Sequence, residues 1–151
     1  MNYLTALLLL VLSFNAYAFE ALEDILKLKK APAGVVIEIT SGDKLYLEKI
    51  MPQLKADILA IQKKHKGLSV AIVSHARESL LLTKQKSQLH TKLHSDIKSL
   101  SDNNTSVHVC GTYASWFNIN EDEFPDYINV SPAGPVQVDD YLELGYLHIE
   151  L

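Results

Sequence analysis

From residue 35 onward the chain alternates short apolar runs with longer stretches in which apolar residues return every third or fourth position. The run VVIEITS (35–41) is β-branched and nearly continuous, the pattern of a strand covered on both faces. LSVAIVS (68–74), SVHVC (106–110) and YINVS (127–131) repeat that pattern, and YLHIEL (146–151) closes the chain as a short strand. Leu47, Met51, Leu54, Ile58 and Ile61 recur at helical spacing through to Lys64. Asp43 is placed to cap that helix and Gly67 to end it. Pro52 lacks a backbone donor and is expected to kink the helix or to open its second half. Leu89, Leu93, Ile97 and Leu100 mark another helix with a polar opposite face. Residues 111–117 predict a short helix, NEDEFPD (120–126) an acidic surface loop, and the stretch after Pro132-Ala133-Gly134 a last helix ending near Gly145. FEALEDILKLKKAPAG (19–34) reads as a short amphipathic lead-in.

Strands that alternate with helices imply a parallel sheet covered on both sides. The expected fold is therefore α/β, a three-layer sandwich around a small, mainly parallel five-stranded sheet of the flavodoxin type. In such sheets ligands bind beyond the carboxyl ends of the strands. Those ends carry Ser41-Gly42-Asp43, Ser74-His75-Ala76-Arg77, Cys110-Gly111-Thr112 and Ser131-Pro132-Ala133-Gly134.

The first residues change the picture of where the protein works. MNYLTALLLLVLSFNAYA carries no charged side chain, has an apolar run from Leu4 to Phe14 and ends Ala16-Tyr17-Ala18. The run is short for a membrane span of roughly 20 residues, and the small-x-small ending is that of a signal-peptidase site. Residues 1–18 are read as a cleaved signal peptide, with no membrane anchor left after cleavage. Residues 19–151 then form a single periplasmic domain. The 151 residues are 48% hydrophobic and 21% charged, an ordinary globular balance. A net charge of −4 without basic clusters argues against nucleic acid.

The chain has one cysteine. Exported domains often gather cysteines in pairs, so Cys110 is either a small buried hydrophobe or a thiol that reacts with something outside the chain. It stands where a strand passes into a helix start, whose N–H groups favour the reactive thiolate. Gly111 lets a sulfur atom or substrate approach the backbone. His75 and Arg77, the one arginine of the chain, follow the second strand, where a cation would stabilise a thiolate or small oxyanion. His108 alternates onto the side of Cys110 but sits mid-strand, as a packed or edge histidine would. His90 and His94, at i and i+4, lack a third ligand at any clear spacing and read as a solvated helix face. Glu121, Asp122, Glu123 and Asp126 lack the calcium-loop pattern and read as a solvated loop. No metal and no cofactor are expected. TSGDK has neither the glycine spacing nor the ending of a phosphate loop, which leaves a flavin or nucleotide reading weak. No Gly-x-Ser-x-Gly elbow is present for a serine hydrolase.

Three segments resemble the DsrE/DsrF-like family of small sulfur-relay-type proteins. VHVCGTYA looks like its strand ending in Val-x-Val-Cys-Gly, and VSPAGPVQVDDYLELGYLHIEL like its Val-x-Pro-Ala-Gly segment, helix and Gly-Tyr strand. VAIVSHARESLLLTK is similar to its second strand, which ends in histidine. With the order of strands, the likeness covers about residues 34 to 151. It implies a flavodoxin-like fold, homo-oligomers and a cysteine that carries a persulfide, which by position is Cys110, with His75 a weaker match. Relatives often have glycine directly after that histidine, whereas Ala76 and Arg77 follow here. The expected activity is a sulfurtransferase or sulfur carrier working with a sulfur donor or acceptor protein. Its site would be Cys110 with His75, Arg77, Gly111, Thr112 and Gly134. The alternative is a non-enzymatic, homo-oligomeric module that binds a small ligand in the same cleft, with Cys110 inert and packed.

Overall fold

β-Branched residues prefer the extended, half-crowded surface of a sheet, and each predicted apolar run supplies one strand. The computed structural model describes residues 19–151, so the expected signal peptide (1–18) lies outside the described residues. The strands are β1 (Val35–Ile39), β2 (Val70–Ser74), β3 (Thr105–Cys110), β4 (Asn129–Ser131) and β5 (Leu147–Glu150). They form one sheet in the order β4-β3-β2-β1-β5, and every pairing is parallel. The helices are α1 (19–27), α2 (Tyr46–Lys64), α3 (Thr91–Ser101), α4 (Gly111–Ser115) and α5 (Gly134–Glu143).

Handedness decides the layers. The chain steps from β1 to β4 in one direction, so right-handed crossovers put the connecting helices on one face. The return from β4 to β5 runs the other way, and its helix α5 crosses the opposite face against β1, β2 and β3. The layering is that of a flavodoxin-like three-layer sandwich, with the edge strand beside β1 visited last. The thick face joins Leu22 and Ile25 of α1 to Leu47, Met51, Leu54, Ile58 and Ile61 of α2, and to Leu93, Ile97 and Leu100 of α3. These cover Val35, Ile37, Ile39, Val70, Ile72, Val107 and Val109. Each such side chain contributes about 1.5–3 kcal/mol when fully buried. The thin face has only Val36, Ala71 and Val73 under Val138, Tyr141 and Tyr146. One ten-residue helix leaves most of that face to polar side chains.

Three local expectations are corrected. Pro52 lies inside one continuous 19-residue helix and does not open its second half. The buried stripe Leu47, Met51, Leu54, Ile58, Ile61 spans the proline, and packing of that stripe outweighs one missing backbone bond. His94 is buried, not solvated: its Nε2 lies 2.9 Å from the carbonyl of Leu81 and its Nδ1 2.7 Å from the hydroxyl of Tyr127. A carbonyl only accepts, so Nε2–H donates and Tyr127 donates to Nδ1. Burial pushes the imidazole below the ordinary histidine value. Leu89 does not belong to the helix it was expected to mark: it lies ahead of α3 and is 76% exposed, following 3₁₀ turns at 77–82 and 84–86. No helix among the described residues is long and apolar enough to cross a membrane.

Candidate functional site

The two-residue period of a strand sends every second side chain to the thin face. The β3–β4 register pairs Cys110 with Ser131. Continued one step past Ser74↔Val109 and Ile39↔Ser74, the β2–β3 and β1–β2 registers put His75 opposite Cys110 and Thr40 opposite His75. Four neighbouring strands thus end in one polar row, Thr40–His75–Cys110–Ser131. The row one step back on the same face holds Glu38 and His108. The start of α5 closes over the row. A β-carbon on Gly134 would lie 2.3 Å from the β-carbon of His75 and 2.6 Å from its Cγ. Only a glycine lets the helix begin there.

Cys110 is 6% exposed. It precedes the first turn of α4, and its Sγ accepts a hydrogen bond from the N–H of Tyr113 at 3.3 Å. A β-carbon on Gly111 would stand 3.1 Å from Cγ1 of Val130 and 3.2 Å from the carbonyl oxygen of Ser131. Gly111 therefore lets α4 turn away tightly beside β4. Thr112 ties the same turn to the neighbouring loop, its hydroxyl donating to the carbonyl of Pro132 at 2.7 Å. A groove of about 280 Å³ opens beside Gly111, between α4, Glu121 and Pro132.

Two hydrogen-bonded groups flank Cys110 along the sheet. On the β4 side, the Ser131 hydroxyl donates to Oε1 of Gln137 at 2.8 Å, so it accepts from Nδ1–H of His108 at 3.0 Å. Tyr141 then donates to Nε2 of His108 at 2.9 Å. Burial pushes His108 below the ordinary histidine value and raises Tyr141 above the ordinary tyrosine value. His108 is thus a packed, satisfied, neutral imidazole. On the β1 side, Glu38 accepts from two rings. Nε2 of His75 lies 2.7 Å from its Oε1, and Nε2 of His148 lies 2.7 Å from its Oε2.

Of the residues singled out by sequence, His75, Cys110, Gly111 and Gly134 meet at this edge, and Thr112 fastens its rim. Arg77 does not join them. Its backbone N–H donates to the carbonyl of Ser41, and its side chain is exposed with no hydrogen-bond or ion-pair partner among the described residues. His90 pairs with Glu48 at 3.0 Å, away from His94's partners. Among the described residues no group of three or more potential ligands is arranged to hold a metal ion.

Three participants were missed from sequence, Glu38, His148 and Glu78, and Ser131 was placed at a strand end without a role. Glu38 carried a signal, as the lone charge in an otherwise apolar strand. Glu78 carried none, because one of its partners, the backbone of Ser41, lies 37 residues away. It is fully buried and accepts from Ser74 Oγ and Ser41 N at 2.9 Å and from Ala76 N at 3.1 Å. It fastens the loops that leave β1 and β2, which carry this edge of the site.

No protein-family model matches the chain, and no curated protein matches it significantly. Among solved structures it is similar to MTH1491 from Methanobacterium thermoautotrophicum, a protein of unknown function, at TM-score 0.63 and 14% identity over 78% of this chain and 97% of that one. It is similar to BT1422 from Bacteroides thetaiotaomicron, a conserved protein of unknown function, at TM-score 0.55 and 12% identity over 77% and 94%. It is also similar to the ychN protein from E. coli at TM-score 0.56 and 12% identity over 78% and 98%. At these identities the three share this chain's fold along nearly their whole lengths, and the likeness is one of architecture.

Proposed function

We propose that this chain is a DsrE-like sulfur carrier in which Cys110 accepts sulfane sulfur and hands it on as a persulfide. The observation that carries this reading is the position of Cys110. It sits at the carboxyl edge of the sheet, between His75 and Ser131, with a backbone N–H aimed at its sulfur. An N–H donor at that atom is placed to hold negative charge that develops on the sulfur as it attacks. Sγ forms a bond to the sulfane sulfur of a polysulfide or thiosulfate. The bond from that sulfur to the rest of the donor breaks, and its electron pair leaves with the shorter polysulfide or with sulfite. Attack by an acceptor thiol on the outer sulfur reverses the first bond. The similar folds of three small proteins agree with this class of domain.

The second reading is a small-ligand-binding module with an inert cysteine, and the 6% exposure of Cys110 favours it. Intact-mass analysis of the native protein after exposure to polysulfide or thiosulfate separates the two. The wild type is expected to gain sulfur and Cys110→Ser to gain none. A native wild type that stays unmodified, and reacts only once unfolded, means that the cysteine is packed and the carrier reading is wrong.

The protein is further proposed to be exported, to self-associate and to meet a donor or acceptor protein. Self-association draws support from the outer edge of β5, which has no strand partner among the described residues. Leu28 and Leu147 are exposed there, with Leu142 and Leu144 at the end of α5 that leads into it. Apolar strand edges invite pairing. Sedimentation of residues 19–151 is expected to show more than a monomer at micromolar concentration, and a lone monomer would count against it. Amino-terminal sequencing of exported protein is expected to begin at Phe19, and a Met1 start would overturn the signal assignment.

A further inference from the structure

The sheet changes direction between β1 and β5, because the chain leaves β1 toward β2 and returns to its other side only at the end. Open α/β sheets bind and react at such switch points. Here the switch point holds one carboxylate and two imidazoles, drawn from residues 38, 75 and 148. Glu38 and His75 side chains are only 16% and 13% exposed.

A carboxylate accepts hydrogen bonds and does not give them, so each ring presents Nε2–H to it. For His75 that choice fixes the other nitrogen. A neutral imidazole with its proton on Nε2 carries a lone pair on Nδ1. The recorded partners of His75, Glu38 and Thr40, both meet Nε2, so Nδ1 has no hydrogen-bond partner among the described residues. The ring cannot swing away freely, because the α5 start sits on its Cβ and Cγ at Gly134. Continued one step past Ser74↔Val109, the β2–β3 register sets His75 opposite Cys110, with no hydrogen bond between the two side chains in the resting structure among the described residues. The other ionisable side chains around this corner include His148 and Glu150 on β5, the buried Glu78 bonded to Ser74 and Ala76 on either side of His75, His108 and Tyr141 one row back beside Cys110, and the exposed Arg77 after β2.

We infer that Glu38 is a positioning residue for Cys110: it holds His75 as the Nε2–H tautomer, so that Nδ1 takes the thiol proton, while His148 anchors the second carboxylate oxygen. The inference rests on the reading of Cys110 as a sulfur carrier. The proton passes from Sγ to Nδ1 as the donor approaches, and the imidazolium then lies between thiolate and carboxylate. When the donor's sulfur–sulfur bond breaks, the leaving sulfur group takes that proton, which restores the neutral ring.

The test is a double-mutant cycle on Cys110 alkylation by iodoacetamide, read by intact mass at pH 7 on folded protein. His75→Ala and Glu38→Gln are each expected to slow alkylation about tenfold, modest for loss of a positioned base. The double variant is expected to be no slower than His75→Ala, since Glu38 acts through His75. His148→Gln, which leaves the Glu38–His75 contact in place, is expected to slow it less than Glu38→Gln, and stands in should the Glu38 variant not fold. Two-bond proton–nitrogen NMR of the wild type is expected to place the His75 proton on Nε2, a readout independent of any sulfur chemistry. A His75 proton on Nδ1, or multiplicative slowing in the double variant, overturns the inference. Sulfur uptake at the wild-type rate in His75→Ala and Glu38→Gln would overturn it too, yet leave the carrier reading standing. A native cysteine inert in every variant would end both, whatever the tautomer.

Discussion

Glu78→Ala is expected to cost about 3–5 kcal/mol of folding stability, from three donors left without their acceptor at about 1–3 kcal/mol each, less what an entering water recovers. The carboxylate is fully buried and satisfies one hydroxyl and two backbone N–H groups. Alanine leaves those three donors facing a dry space. Burial, with the nearby Glu78 carboxylate adding to it, raises the pKa of Tyr46 in the first turn of α2. Glu78→Gln should fall between wild type and alanine. Its amide oxygen can replace the oxygen that serves Ser74 and Ala76, but its NH₂ then meets the N–H of Ser41. Urea denaturation ranks the three. Set against a typical total of about 5–15 kcal/mol, the alanine variant should lie near the limit of folding. An alanine variant within about 1 kcal/mol of wild type, below the cost of one orphaned donor, would show that Glu78 does not bind these loops together.

Gly134→Ala acts by the opposite route, through too much volume. The added methyl would be placed 2.3 Å from the β-carbon of His75, and neither atom is the free end of a flexible side chain. Either α5 lifts from the end of β2 or His75 moves off Glu38. Overpacking of this kind costs about 1–3 kcal/mol, only partly offset by alanine's better helix propensity, at most about 1 kcal/mol. The expected result is a net loss of stability together with loss of the hydrogen bond between His75 and Glu38, seen as faster exchange of the His75 Nε2 proton. Gly42→Ala is the control, because a β-carbon there meets no atom within 4 Å. If Gly134→Ala were as stable as wild type with that proton still protected, α5 would not start against His75.

Both variants mark the boundary between what a linear pattern contains and what it does not. The apolar runs at 35–41, 68–74, 106–110 and 127–131 all hold strands, trimmed or shifted at their ends, because period and β-branching are local properties that survive any tertiary arrangement. The spacing of Leu47, Met51, Leu54, Ile58 and Ile61 likewise sufficed for a helix and its buried face. Cys110 was legible as a strand end for the same reason, since the valines before it and the glycine after it are its own neighbours. Pro52 shows the limit of local rules: its missing donor allows the helix to kink or its second half to open, and the apolar stripe on either side of it keeps that second half helical.

The pairing of side chains across the sheet was beyond reach, because nothing local records which strands become neighbours. Glu38 looked like an interruption in a buried run until the return of the chain beside β1 brought His148 to it, 110 residues away in sequence. His94 read as part of a polar helix face until the 3₁₀ turns at 77–82 supplied the Leu81 carbonyl to it. Glu78 had the composition of a surface turn, and only the assembled sheet brings the loop after β1 to it, with the Ser41 N–H donating across 37 residues. Sequence alone determined the strands, the main helices and the place of the thiol, since each depends on residues a few positions apart. The tertiary structure decided which polar groups share a carboxylate and which face has room for them, because crossover handedness and strand order act only on the assembled sheet.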